Sequence, residues 1–226
     1  MRRATLILLV LTIFIQACSD TSKKVDRPSR DTSDKAAKDT SSTHNFSYKN
    51  EQEHLSRKRQ LSNILALYDI EKGGPEYELR MWFIPSMWDP SILYILKKSD
   101  TAWTLFHYQF YTLRSTDPDH YYDNPVIDSI VMESVRPQKT DWKTYINNLW
   151  LDSLWNLQTE SSIKNKTFVM LDGHRYLLEF RDKGKYKYLF YTTPEYFKDK
   201  DSNHKRFAEF KKRLVDPVVY KGMRNP

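Results

Sequence analysis

The chain has 226 residues, of which 39% are hydrophobic and 14% aromatic, and its formal net charge is +7. Only five glycines are present, which excludes a glycine-rich phosphate loop and a collagen-like or low-complexity body. The 36 basic residues are offset by 29 acidic ones, a mixed balance typical of a soluble surface, so we expect no nucleic-acid partner.

The first 17 residues have the pattern of a signal peptide. Arg2 and Arg3 precede an apolar run over residues 4–15, which is short for a membrane span and typical of a secretory leader. The run ends in Ile15-Gln16-Ala17-Cys18, and Cys18 is the only cysteine, so a disulfide within the chain is excluded. An ordinary signal peptide with an incidental cysteine, or a short core strand, is the alternative.

This junction resembles the lipobox of bacterial lipoproteins, which has an aliphatic residue at −3 and a small residue at −1. Gln16 stands where that family prefers a small residue. The resemblance implies that the leader is cleaved before Cys18, that this cysteine carries the lipid (palmitate or a similar chain), and that the lipid anchors the protein in a membrane. The expected location is the bacterial cell envelope, facing the periplasm or the surface.

A tether is predicted for residues 18–45, because Ser, Thr, Asp, Lys and Ala dominate there and Phe46 is the first aromatic residue after the leader. A single domain is predicted for residues 46–226. Helical spacing predicts its first helix over residues 50–68, with Arg57, Lys58 and Arg59 on the outer side. The apolar stripe of this helix is Leu55, Leu61, Ile64, Leu65 and Tyr68.

Alternating patterns then predict strands over residues 77–84, 92–96, 102–113 and 126–135. In the last of these, Ile127, Val131 and Val135 are predicted to share one face. Thr140-Asp141 is typical of a helix cap, and the stripe after it is Trp142, Tyr145, Ile146, Leu149 and Trp150. A final helix is predicted over residues 202–214, with a stripe of Phe207, Phe210 and Leu214.

Residues 168–192 are predicted to form a three-stranded meander. Asp172-Gly173 is typical of a two-residue hairpin turn, and Asp182-Lys183-Gly184 of a three-residue loop. This loop places Phe180 opposite Tyr186, and the first turn places Val169 opposite Tyr176. One face would then carry Tyr176, Leu178, Phe180, Tyr186, Tyr188 and Phe190.

Together these elements predict an α+β fold, with one mostly antiparallel sheet, a C-terminal three-stranded meander and helices packed on one face. The meander and the helix after it resemble the C-terminal part of uncharacterised bacterial envelope lipoproteins. That resemblance implies a fold and no particular activity.

Oxygen ligands are densest around Asp117, Asp119 and Asp123, and Ca²⁺ prefers such ligands. The glycine of a calcium loop is absent, and Asp or Asn before Pro is a common turn former, so we favour a turn over a metal site.

No catalytic residue is assigned from the sequence. There is no G-x-S-x-G motif, and neither His107 nor His174 has a second histidine or a cysteine at metal-binding spacing. Glu179 and Asp182 flank a hairpin and invite comparison with a glycosidase pair, but their separation is a property of the fold. We expect no cofactor and favour a protein without catalysis.

Aromatic residues are the candidates for partner contact. Trp82 and Trp103 lie in strands, where they are exposed or covered by a helix layer. Trp88, Tyr121 and Tyr122 lie in loops bounded by prolines, where they contact a partner or plug the end of the sheet.

The leading functional hypothesis is a lipid-anchored binding or structural module, without catalysis, for a protein or glycan ligand. A periplasmic inhibitor or immunity protein and a hydrolase of envelope polymers are the alternatives.

Overall fold

The computed structural model describes residues 40–85, 90–113, 125–164, 166, 170 and 173–218. Six strands lie in this part of the chain: β1 (Tyr77–Ile84), β2 (Ser91–Ser99), β3 (Ala102–Leu113), β4 (Val126–Val135), β5 (Arg175–Asp182) and β6 (Lys185–Thr192). The helices are α1 (Thr40–Ile64), α2 (Trp142–Leu149), α3 (Pro194–Phe197) and α4 (Ser202–Val215). Two 3₁₀ helices, Leu151–Asn156 and Glu160–Ser162, follow α2.

The strands form one antiparallel sheet in the order β4-β3-β2-β1-β5-β6. The predicted α+β fold with one antiparallel sheet is therefore confirmed. The predicted bounds of β1, β3 and β4 are those observed, because each strand has a clear apolar alternation between turn residues. Central β1 is buried along its length except at half-buried Phe83.

Helices cover both faces of the sheet, so the prediction of helices on one face is wrong. On one face, which we call the α2/α4 face, side chains such as Leu79, Leu96 and Leu178 pack with residues of α2 and α4. On the other, which we call the α1 face, Trp82, Leu93 and Leu177 pack with Leu55 and Leu61 of α1. Polar residues alternate with apolar ones on β1, and such a pattern predicts a strand with one exposed face. In this sheet the polar face of β1 is covered as well.

Helix α1 begins at Thr40, so residues 40–45 are helical where a tether was predicted. A helix that has already formed extends at little cost, even through residues without an apolar stripe. It ends at Ile64, four residues before the predicted end, and Ala66 adopts a left-handed conformation. Ile64 and Tyr68 are exposed, whereas Lys58, predicted to face outward, is buried against the sheet.

The β5–β6 hairpin has a two-residue turn, Lys183-Gly184, and Asp182 pairs with Lys185. Both turn residues have positive φ, as the favoured two-residue hairpin turns require. The predicted three-residue loop is therefore wrong, and Phe180 pairs with Lys187 instead of Tyr186. The change of register puts Tyr188 and Phe190 on the α1 face, whereas Phe180 packs on the α2/α4 face.

The predicted meander is also wrong. It requires the segment just before β5 to pair with one edge of β5, but β1 pairs with that edge. Tyr176 lies between Phe83 of β1 and Tyr191 of β6, so no neighbouring position is left for Val169. Val169 and Asp172 themselves lie outside the described residues.

A β-bulge divides β4 into two parts. Ser129 pairs with Tyr111 and Ile127 with the next residue, Thr112, so Asp128 is the extra residue. Ile127 therefore packs on the α1 face and Val135 on the α2/α4 face. The prediction that Ile127, Val131 and Val135 share one face is therefore wrong, and Val131 is exposed.

The two later helices follow their predictions. Asp141 caps α2, since its side chain accepts a hydrogen bond from the backbone N–H of Thr144. Phe207, Phe210 and Leu214 of α4 are buried in the core, as expected. In the part of the chain described, every helix is too short or too polar to cross a membrane.

Candidate functional site

Most of the site residues predicted from the sequence lie outside the described residues. These are Cys18, Trp88, Tyr121 and Tyr122, together with the weak metal candidates Asp117, Asp119 and Asp123. Within the described ranges, no group of three or more His, Cys, Asp or Glu residues is placed to hold a metal ion. His107 is buried beside the Tyr94 ring, and His174 lies beside that of Phe83.

Glu179 and Asp182 are not brought together. They are three residues apart on one strand, so their side chains lie on opposite faces of the sheet. Glu179 is fully buried under α1, whereas Asp182 is half-buried at the end of the strand on the α2/α4 side. Their arrangement does not fit a glycosidase pair, which must face one bond.

Glu179 is the centre of a buried polar network beneath α1. Its Oε1 accepts hydrogen bonds from Lys58 Nζ at 2.7 Å and from the Tyr186 hydroxyl at 2.9 Å, and its Oε2 accepts one from Trp82 Nε1 at 3.1 Å. Burial is the main cause of the raised pKa of the Tyr186 hydroxyl, and the negative charge of Glu179 is the second. Trp82 is thus covered by a helix layer, the second of the two arrangements considered for it.

A second buried ion pair lies next along β1. Arg80 Nε donates to Glu78 at 2.6 Å, and Arg80 Nη1 donates to the backbone oxygen of Tyr68 at 2.9 Å. A cavity of about 380 Å³ adjoins Lys58 and Arg80. Because both buried cations already have carboxylate partners, this network explains how α1 is fixed to the sheet better than it explains a ligand site.

A larger cleft, of about 600 Å³, lies at the end of the sheet where β1 begins. We call it the tryptophan cleft. Four segments form it: the start of β1, the end of β2 with the start of β3, the end of α2 with the 3₁₀ helix after it, and the β5–β6 turn. Its aromatic and polar lining includes Tyr77, Trp103 and Trp150 with Glu76, Asn147, Asp152 and Asp182.

Trp150 has an unusual backbone geometry. It ends α2 with φ 53° and ψ 48°, the left-handed region. This helix-end position strongly favours glycine, and a side chain with Cβ costs about 1 kcal/mol or more there. Trp150 is nevertheless 57% exposed, so burial does not explain why a tryptophan occupies the position.

One face of the Trp150 indole is covered by Arg213 of α4. The guanidinium carbon of Arg213 lies 3.2 Å from the ring centroid, well within the range of a cation–π contact. Trp150 lines the cleft and stays largely exposed despite this contact.

The other two rings of the cleft are packed together. The centroids of Tyr77 and Trp103 are 5.3 Å apart in an edge-to-face arrangement. Asp182 pairs with Tyr77 across β1 and β5, and Asp152 approaches from the 3₁₀ helix. Burial, with a further contribution from these two carboxylates, raises the pKa of the Tyr77 hydroxyl, which therefore stays protonated.

The arrangement suits a ligand that has both apolar faces and hydroxyl groups. An open indole face stacks on the C–H groups of a sugar ring, while carboxylate and amide oxygens accept hydrogen bonds from its hydroxyls. The volume is also within the range of small-molecule sites.

Trp150 was not among the site residues expected from the sequence, where it joined the apolar stripe of α2. The signal that identifies it is the helix end: a tryptophan directly after the last helical residue, where glycine is usual.

Comparisons with models of known families, with curated proteins and with solved structures find no match.

Proposed function

We propose that the protein is a lipid-anchored binding module of the bacterial cell envelope, and that its tryptophan cleft binds carbohydrate. The anchor follows from the lipobox-like junction at Cys18, and the ligand class from the cleft. The observation that carries the proposal is Trp150, a large exposed ring in a left-handed conformation.

The strain at Trp150 supports a role in binding because the residue stays 57% exposed and its contact with Arg213 covers only part of the ring. Unfavourable backbone conformations cost about 1–3 kcal/mol and cluster at functional sites. Glycine or asparagine at this position would end α2 more favourably, so the ring is better explained by what it contacts outside the domain.

The chemistry around the ring supports carbohydrate over a purely apolar ligand. Three carboxylates, Glu76, Asp152 and Asp182, and the amide of Asn147 line the same cleft as the two tryptophans. Sugars present hydroxyls along their edges and C–H groups on their faces, so a sugar-binding cleft needs both polar and aromatic lining residues. A hydrocarbon would leave the carboxylates without partners on their cleft side.

The three carboxylates also favour one alternative, a hydrolase of envelope polymers. Paired carboxylates on the two sides of a glycosidic bond are the usual machinery of that reaction. If the cleft catalyses hydrolysis, shorter products will accumulate when an oligosaccharide is incubated with the protein, and Asp152→Asn or Asp182→Asn will stop their formation. Intact oligosaccharide after long incubation would exclude this alternative for the sugar used.

Binding is tested by calorimetric titration of the full-length chain in detergent against chitohexaose, cellohexaose, maltohexaose and laminarihexaose. We expect at least one to bind, and Trp150→Gly to weaken that binding by about tenfold, since an aromatic contact contributes on the order of 1 kcal/mol beyond the area that it buries. The melting temperature of Trp150→Gly should stay the same or rise, because glycine relieves the left-handed strain.

Tyr196→Ala is the matched control, because Tyr196 is 63% exposed and lies outside the cleft. It should bind as the wild type does. Absence of binding to every oligosaccharide, or equal binding by Trp150→Gly and the wild type, would overturn the proposal.

A further inference from the structure

The contact between Arg213 and Trp150 bears on which ligands the tryptophan cleft accepts. Arg213 lies in the last turn of α4 and is absent from the cleft lining. Its guanidinium carbon sits 3.2 Å above the indole centroid. Its Nη2 is 3.9 Å from Glu209 Oε2, one turn earlier on the same helix, so the guanidinium is held from both sides.

The lining of the cleft, taken by itself, also suits an organic cation. Aromatic rings beside carboxylates are the usual site for quaternary ammonium groups, which are attracted by the negative face of a ring. The cleft has three such carboxylates and only two lysines, Lys98 and Lys183. Lys98 Nζ is 3.4 Å from Glu76 Oε2, so one of the lysines is engaged already.

Arg213 lowers the attraction of the cleft for an organic cation at Trp150. A cation already placed on one face of the indole draws on the ring's negative potential, so the opposite face attracts a second cation less. The positive charge also repels a second cation through the ring. Stacking of a neutral sugar depends on the orientation and contact area of the ring, which the arginine preserves.

We propose that Arg213 is the specificity-determining residue of the cleft: it positions Trp150 for stacking and selects neutral sugars against organic cations. This inference rests on the proposed carbohydrate function. It predicts that removing the guanidinium weakens sugar binding and strengthens ammonium binding, a change in opposite directions that general loosening of the site would not produce.

The experiment compares the full-length wild type with Arg213→Met by calorimetric titration. The probes are the tightest-binding of the four oligosaccharides and tetramethylammonium chloride. For Arg213→Met we expect sugar affinity to fall about threefold and tetramethylammonium affinity to rise about threefold, in line with a cation–π contact near the surface. Arg213→Lys keeps the positive charge, and an ammonium group can also lie over an indole ring, so the ratio of the two affinities should stay within about twofold of the wild type.

Lys212→Met is the matched control, because it removes one positive charge from the adjacent exposed position of α4 and should change neither affinity. Arg213→Gln gives the same comparison if the methionine variant does not fold. Equal losses of affinity for both ligands, or an unchanged ratio of the two affinities in both uncharged variants, would overturn the proposed role of Arg213. Neither outcome would bear on the proposed carbohydrate function. A wild type that binds none of the four oligosaccharides would overturn this inference together with the proposed function.

Discussion

The Nζ atom of Lys58 on α1 lies 2.7 Å from Oε1 of Glu179 on β5, and both side chains are removed from water. Glu179 has two further donors, Trp82 and Tyr186. The pair joins residues 121 positions apart, so the first helix is attached to one of the last strands through a desolvated charge. Removing one partner of such a pair leaves the other charge buried without compensation.

Lys58→Met is therefore expected to lower the free energy of unfolding by about 3–5 kcal/mol, because it leaves the Glu179 carboxylate buried and unpaired. Adding Glu179→Gln should recover part of the loss, since the amide is neutral and still accepts from Trp82. Urea unfolding of the two variants measures both effects. Arg59→Met, at the exposed neighbouring position, should change stability by less than about 0.5 kcal/mol. Equal effects of Lys58→Met and Arg59→Met would contradict the expected role of the pair.

The second prediction concerns His54, which is buried on α1 and stacked on Phe190 at 5.5 Å. Burial, aided by the charges of Arg175 on β5 and Arg57 on α1, lowers its pKa from 6.5 to about 3. The unfolded chain therefore binds a proton below pH 6.5 that the folded chain excludes. Stability should fall as the pH drops through this window, by on the order of 2 kcal/mol between pH 8 and pH 5.

His54→Phe keeps a ring on Phe190 and should lose this part of the pH dependence. Glu51, one turn earlier, has a raised pKa because of burial, so its contribution to stability runs the other way and is lost as the pH rises. Glu51 is present in both proteins, so the difference between their stability–pH curves isolates His54. Parallel curves from pH 8 to pH 5 would show that His54 titrates normally in the folded protein.

The third prediction concerns the β5–β6 turn. Gly184 has φ +84°, and a Cβ built there meets no atom within 4 Å. Gly184→Ala should therefore destabilise through backbone strain alone, by about 1 kcal/mol. Gly73, which has equal space and no positive φ, is the matched control, and Gly73→Ala should be neutral or slightly stabilising. A two-residue turn is contradicted if thermal unfolding shows the same midpoint for both variants.

The fourth prediction concerns the anchor. When the full gene is expressed in bacteria with a clickable palmitate analogue, the wild type should be labelled and recovered with the membranes, because two or three buried acyl chains anchor stably. Cys18→Ala should be neither labelled nor retained, whereas Ser19→Ala should behave as the wild type. Undiminished labelling of Cys18→Ala would show that lipid is attached elsewhere or that the junction is not a lipobox.

Much of the fold could be predicted from local patterns. The bounds of β1, β3 and β4, the Asp141 cap of α2 and the stripe of α4 all follow from residue periodicity and turn chemistry. Such signals depend on neighbours within a few residues, so they are complete in the sequence.

The buried face of α1 could not be predicted in this way. Lys58 interrupts an apolar stripe and reads as a surface residue, yet it is buried because Glu179, far along the chain, meets it. Periodicity takes into account only the polarity of each residue, whereas the burial of a charge depends on a partner that only the folded chain supplies.

The class of fold and most strand and helix positions could be predicted from the sequence alone, because they depend on local composition and spacing, and the lipobox-like leader is a prediction of the same kind. The folded chain was needed to show that β1 pairs with β5, that the hairpin turn has two residues and that Asp182 meets Trp103 and Trp150 in one cleft. These features join segments up to about a hundred residues apart. Which strands pair, and in which register, depends on the free energy of the whole sheet. That free energy cannot be deduced from any single segment of the chain.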